Sequence, residues 1–132
     1  MDSEGKLIKE TIRRFEGKLV GTNYMKRTVA EVLTLLPTKI TNYIIRNCWF
    51  LGSTRDAYGY TFNGNDLKDK HLIFLSDELL EQDNGQIQYT VLHEIGHVVL
   101  KHRNAINFAQ TKGEIRKQEK EADEFARQYL GR

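Results

Sequence analysis

Residues 83–102 read DNGQIQYTVLHEIGHVVLKH, and the reading of this stretch decides the fold. Asp83 followed by Gln86 is a helix-start pattern, and Ile87, Val91, Ile95 and Val98, joined by Leu92 and Val99, then recur at helical spacing. A helix is expected from there to about His102. Inside it stands His93-Glu94-Ile95-Gly96-His97. At about 100° per residue the two histidines lie about 40° apart around the axis and one turn apart along it, so both imidazoles can point at one ion. Glu94 projects about 100° round from His93, which suits a general base acting on a water bound to that ion better than it suits a ligand. An H-E-x-x-H pattern also arises by accident in helices whose histidines merely face solvent, so a third ligand has to be found.

The final helix offers one. It is highly charged and carries Ile115, Ala122, Phe125, Ala126 and Tyr129. Ile115, Ala122 and Ala126 fall within about 60° of the direction of Glu119, which places an acid in the middle of an apolar stripe. A carboxylate turned inward needs a cation or strong donors, because burying it unpaired costs several kcal/mol. Asp123, one turn on and on the same side, is placed to accept a hydrogen bond from the outer nitrogen of a ligating histidine. The plainer alternative for Glu119 and Asp123 is an exposed acidic pair facing Lys120 or Arg127. Glu121 and Glu124 project away from Glu119 and read as solvated charges. His93, His97 and Glu119 with one open position match the ligand set of a catalytic zinc ion, one per chain, although iron, manganese or cobalt suit the same donors. The expected chemistry is hydrolysis at an acyl carbon, most simply a peptide bond, with Glu94 as general base and then acid.

Working outward from these helices, Cys48–Leu51, Ala57–Phe62 and His71–Leu75 are short apolar runs between turn-forming residues and read as three strands of a small, mostly antiparallel sheet. Before them, Leu7, Ile8, Ile12, Phe15 and Leu19 predict a helix running up to Gly21-Thr22-Asn23. Thr28 with Glu31 forms a capping-box pattern ahead of Val29, Val32, Leu33 and Leu36. The stretch after Pro37, with Ile40, Ile44 and Ile45, is helical by spacing but rich in β-branched residues. The expected fold class is α+β, one domain over 1–132, with a helical part over 1–47 and a catalytic core over 48–132.

Composition agrees with a single globule: 132 residues, 39% hydrophobic and 29% charged. A net charge of +2 is too small to argue for direct nucleic-acid binding or for an anionic membrane surface. One cysteine, Cys48, excludes an internal disulfide and a thiolate-rich metal site. The first twenty residues alternate charge with apolar side chains and lack the apolar run of a signal peptide. A cytoplasmic location is the expectation, with no membrane association. His71, His102, Cys48, Tyr58, Tyr60 and Tyr89 read as structural residues more readily than as site residues.

His93-Glu94-Ile95-Gly96-His97 followed by Glu119-Lys120-Glu121-Ala122-Asp123-Glu124-Phe125-Ala126 resembles the ImmA/IrrE family of gluzincin-type zinc metallopeptidases. The resemblance spans Trp49 to Leu130. It implies a minimal zincin domain with Glu119 as the glutamate ligand, Asp123 supporting a ligating histidine, and His71–Leu75 as an edge strand that pairs with extended substrate. It further implies a peptide or protein substrate, with a helix-turn-helix repressor as the candidate, although nothing in residues 1–47 forms a convincing recognition helix of its own. The chain is also similar in size to the minigluzincins, in which a terminal segment can block the cleft. Two rivals stand beside the peptidase: a catalytically silent metalloprotease-like protein that grips a repressor or other partner without cutting it, and a metal-dependent amidase acting on a small molecule.

Overall fold

The structure, a computed structural model, describes residues 3–52, 71–100 and 111–130. Its elements are α1 (Ser3–Arg14), β1 (Leu19–Val20), α2 (Asn23–Leu33), α3 (Thr38–Asn47), β2 (Cys48–Leu51), β3 (His71–Phe74), the single turn α4 (Asp77–Leu80), α5 (Asn84–Val99) and α6 (Lys112–Tyr129). The class is α+β and mostly helical, around a sheet ordered β1-β2-β3.

The sheet is parallel, which corrects the antiparallel expectation. Leu19 pairs with Phe50 and Val20 with Leu51, while Cys48 to Leu51 pair in step with His71 to Phe74. The reason lies in the connections. A chain that leaves β1 through two helices, α2 and α3, comes back to the same end of the sheet and runs parallel, whereas antiparallel pairing is the product of tight hairpins. Burial agrees, since Cys48, Phe50 and Leu51 are all fully buried, as expected of a strand covered on both faces. The expected strand over Ala57–Phe62 lies outside the described residues.

Leu19 also changes element. The first helix ends at Arg14, because Glu16 (φ 50°) and Gly17 (φ 87°) turn the chain through left-handed backbone. Leu19 is thereby delivered to the sheet and buried there, so its helical spacing from Phe15 is a coincidence of two inward-facing positions. The next helix starts six residues before the expected box. Thr22 caps it by accepting from the amide of Met25 at 3.1 Å, and Thr28 is an interior residue whose hydroxyl donates back to the Tyr24 carbonyl at 2.8 Å. After Pro37 the ambiguous stretch is helix α3 throughout.

One contiguous apolar cluster runs through all of these elements, from Phe15 and Met25 through Ile44, Phe50 and Ile73 to Ile87, Leu92, Ile95 and Phe125. Helix α5 is the member that crosses it. Asp83 caps α5 by accepting from the Gln86 amide at 2.9 Å, as its position in the sequence suggests. Ile87, Val91, Leu92, Ile95 and Val98 face the core, and the helix ends at Val99. Residues 101–110 lie outside the described region, so the expected last turn to His102 is not part of the helix described. Among the described residues no helix is long and apolar enough to cross a membrane.

Candidate metal centre

Helices α5 and α6 are each other's main packing partners, and they run antiparallel, as the pairing of their side chains shows. Tyr89 meets Asp123, His93 lies between Asp123 and Glu119, and His97 meets Glu119. Numbers rising along α5 answer to numbers falling along α6. One turn separates each rung from the next, so a four-residue step on either helix keeps its side chain on the facing side. Gly96, between the two histidines in sequence, lets the Phe125 ring come down on the α5 backbone.

The result is a tight convergence of donors. His93 Nε2 stands 3.0 Å from one carboxylate oxygen of Glu119, and His97 Nε2 stands 3.3 Å from the other. The imidazole rings meet edge to face with centroids 4.8 Å apart. A tetrahedral cation held at about 2.0–2.1 Å by nitrogen and oxygen donors keeps neighbouring donors about 3.3 Å apart, so these spacings suit a shared divalent ion. The ligand atoms of His93, His97 and Glu119 all lie within 4.8 Å of one another. The donor set, two imidazoles and one carboxylate, is that of a catalytic zinc site with a place left for water.

The surroundings differ in part from the sequence reading. Glu119 is not sunk in an apolar stripe: its side chain is 54% exposed, and Ile115 one turn before it is 40% exposed. It is the two imidazoles, both largely covered, that give Glu119 its place. Glu94 lies 3.8 Å from His93 Nδ1 and is 43% exposed, which leaves its carboxylate free to turn toward a bound water. Asp123 approaches His93 at Nε2, the nitrogen that faces Glu119, at 3.3 Å, and not at the outer nitrogen. Glu124 is exposed, but Glu121 is partly buried and engaged elsewhere, unlike the solvated acid expected there.

Tyr89 is the residue that the sequence reading underrated. Its hydroxyl donates to Asp123 Oδ1 at 2.5 Å, and its ring is 6.2 Å from that of His93. The signal was present in its position, one turn before His93 on the same face, but only the direction of α6 reveals which acid it meets. The hydrogen bond to Asp123 raises the Tyr89 phenol above the ordinary tyrosine range, with partial burial and the Asp123 charge adding to it, so the group stays protonated and remains a donor. Tyr58, Tyr60 and His102 lie outside the described residues, and His71 sits on β3 against Tyr43.

A cavity of about 330 Å³ elsewhere, lined by Arg13, Arg14, Lys18 and Arg46 with Glu16, Asn42 and Ile45, shares no residue with this centre. Three of its cations serve local structure: Arg13 pairs with Glu10, Arg14 donates to Asn42 at 2.8 Å, and Lys18 donates to the Phe15 carbonyl at 3.0 Å, past the end of α1.

Two facing helices that bring two imidazoles and a carboxylate together form a site with the donors of a hydrolytic metal centre. Residues 85–131, a stretch that holds nearly all of α5 and the whole of α6, match the model of the Peptidase U49 family. The match is thus to a peptidase family, under a different name from the ImmA/IrrE family that the motifs resemble. No curated protein and no solved structure matches the chain.

Proposed function

We infer that this chain is a zinc-dependent peptidase of the gluzincin type, with His93, His97 and Glu119 holding the ion, Glu94 moving the proton and Asp123 supporting the site. The observation that carries the reading is the meeting of both imidazole Nε2 atoms with the two oxygens of one carboxylate, at 3.0 and 3.3 Å, inside a stretch that matches a peptidase family. Bound zinc would supply a Lewis acid and lower the pKa of its water to about 7. Glu94, one position after a ligand and open to solvent, takes the proton of the attacking water and returns it to the leaving amine. The carboxylates of Glu94, Glu119 and Asp123 around the two imidazoles favour a cation between them. The open face at Glu119 gives an extended peptide access from solvent. By resemblance to the ImmA/IrrE family the substrate is a protein, with a helix-turn-helix repressor as the first candidate.

Metal analysis and peptide-library cleavage on one set of preparations test this. Wild type and Glu94→Gln should each hold one zinc per chain, with hydrolysis falling by about 10²–10⁴ in Glu94→Gln. His93→Ala, His97→Ala and Glu119→Ala should lose the metal, whereas Glu124→Ala should change neither property. Metal retained in Glu119→Ala removes that residue from the ligand set. Zinc binding without cleavage of any peptide or of a candidate repressor, but with stoichiometric capture of the repressor, favours the catalytically silent reading.

A further inference from the structure

We propose that Tyr89 is a positioning residue of this centre, whose hydroxyl holds the Asp123 carboxylate in a supporting place and keeps it from becoming a fourth protein ligand. The inference rests on the metal-centre reading above and adds a residue to it.

Asp123 is close enough to compete. Its Oδ1 stands 3.3 Å from His93 Nε2, the same separation as between His97 Nε2 and Glu119 Oε1. Glu119 and Asp123 lie one turn apart on the same face of α6 and both are partly exposed, and although Glu119 meets both imidazoles and Asp123 only that of His93, an ion at His93 lies within reach of either carboxylate. They differ further in the hydrogen bond each receives. Tyr89 donates to Asp123 Oδ1 at 2.5 Å, while among the described residues Glu119 is met only by the two imidazoles.

A carboxylate oxygen that accepts a phenol hydrogen bond is fixed in direction and has less donor strength to offer a metal. A dication beside two unrestrained carboxylates draws both, because a bound ion is the largest local charge. The second carboxylate then fills the position that a hydrolytic site keeps for water. Tyr89 is carried by the same helix as the histidines, one turn ahead of His93, so its hydroxyl is placed by the same rigid element as the ligands.

Tyr89→Phe keeps the ring and removes only the hydroxyl. Wild type, Tyr89→Phe and the double variant Tyr89→Phe/Asp123→Ala are loaded with Co²⁺, titrated for Co²⁺ affinity, read by visible absorption, and titrated with acetohydroxamate as a probe of the open position. The expected result for Tyr89→Phe is weaker absorption, as the coordination number rises, and hydroxamate binding about tenfold or more weaker, with Co²⁺ held as tightly as in wild type or tighter. Adding Asp123→Ala should restore both the absorption and the hydroxamate affinity. A Tyr89→Phe protein with the wild-type spectrum and hydroxamate affinity overturns the proposal, and so does one that loses Co²⁺, since Tyr89 would then be holding the ligand set together. Wild type that takes up no Co²⁺ overturns the metal centre itself, an outcome distinct from the failure of Tyr89 alone.

Discussion

A methyl group at position 96 would stand 3.1–3.2 Å from Cδ1, Cβ and Cγ of Phe125, so the glycine of H-E-x-G-H is where α6 rests on α5. Gly96→Ala pits two effects against each other. Overpacking costs about 1–3 kcal/mol, and the better helix propensity of alanine returns about 1 kcal/mol, so the net loss of stability stays within about 2 kcal/mol. The site should suffer more than the fold. Phe125 is pushed outward on the same rigid helix that carries Glu119, whose oxygens sit only 3.0 and 3.3 Å from the imidazoles. Zinc affinity is therefore expected to fall about tenfold or more, by competition titration, while thermal unfolding shifts by only a few degrees. Unchanged affinity would mean that helix spacing does not set the ligand geometry. The convergence of His93, His97 and Glu119 was legible at this scale: a four-residue spacing puts both histidines on one helix face, and Glu119 was singled out by its neighbours, though not for the reason the structure shows. Its exposure did not follow, because a cleft edge and a core stripe share the same periodicity. Nor did the bond between Tyr89 and Asp123, which depends on how two helices face each other.

Among the elements, helices were easier to read than the sheet. A helix carries its register in its apolar spacing, and α2, α5 and α6 also mark their starts with a capping side chain, at Thr22, Asp83 and Thr111, whereas α3 starts after Pro37 without one. The direction of a strand resides in the connections around it, and so the parallel pairing of Cys48–Leu51 with Leu19–Val20 and with His71–Phe74 could not be read from short apolar runs, and Leu19 was read as part of a helix. A two-residue strand such as β1 leaves almost no pattern at all. The join between α3 and β3 supports a prediction of its own. His71 at the start of β3 lies with Nε2 3.3 Å from the Tyr43 hydroxyl of α3, and burial holds its pKa below the ordinary 6.5. The unfolded chain then binds the proton more readily than the folded one. The contribution of His71 to stability is present above pH 6.5 and is lost as pH falls through 6.5 toward the folded value. Thermal unfolding of metal-free protein at about pH 7.5 and about pH 5.5 should show a smaller acid loss for His71→Asn than for wild type. Equal losses would show that the imidazole is as easily charged in the folded protein as in the unfolded one.

On the scale of the whole molecule, the half of the site on α5 is built into the core and the half on α6 is laid against it. Ile87, Val91, Leu92 and Ile95 of α5 are fully buried, whereas α6 buries only Ala122, Phe125 and Ala126 along its length. Burying a phenylalanine contributes about 1.5–3 kcal/mol and a methyl group about 0.8 kcal/mol, so the docking of α6 rests on a few kcal/mol of apolar contact. Metal binding is comparable in size: an ion at a thousandfold its dissociation constant adds about 4 kcal/mol to the state that binds it. Because an ion held by His93, His97 and Glu119 would take two ligands from α5 and one from α6, that energy should fall on the contact between them and not on the sheet or on α1 and α2. Hydrogen exchange followed with and without zinc should therefore show strong added protection in the amides of Lys112–Tyr129, some in the last turns of α5, and little in α2 or β2 until global unfolding limits exchange. Removing the ion with a chelator should reverse the pattern. Protection that rises evenly along the chain would place the metal's effect on the fold as a whole, and protection confined to α5 would mean that Glu119 is not holding the ion.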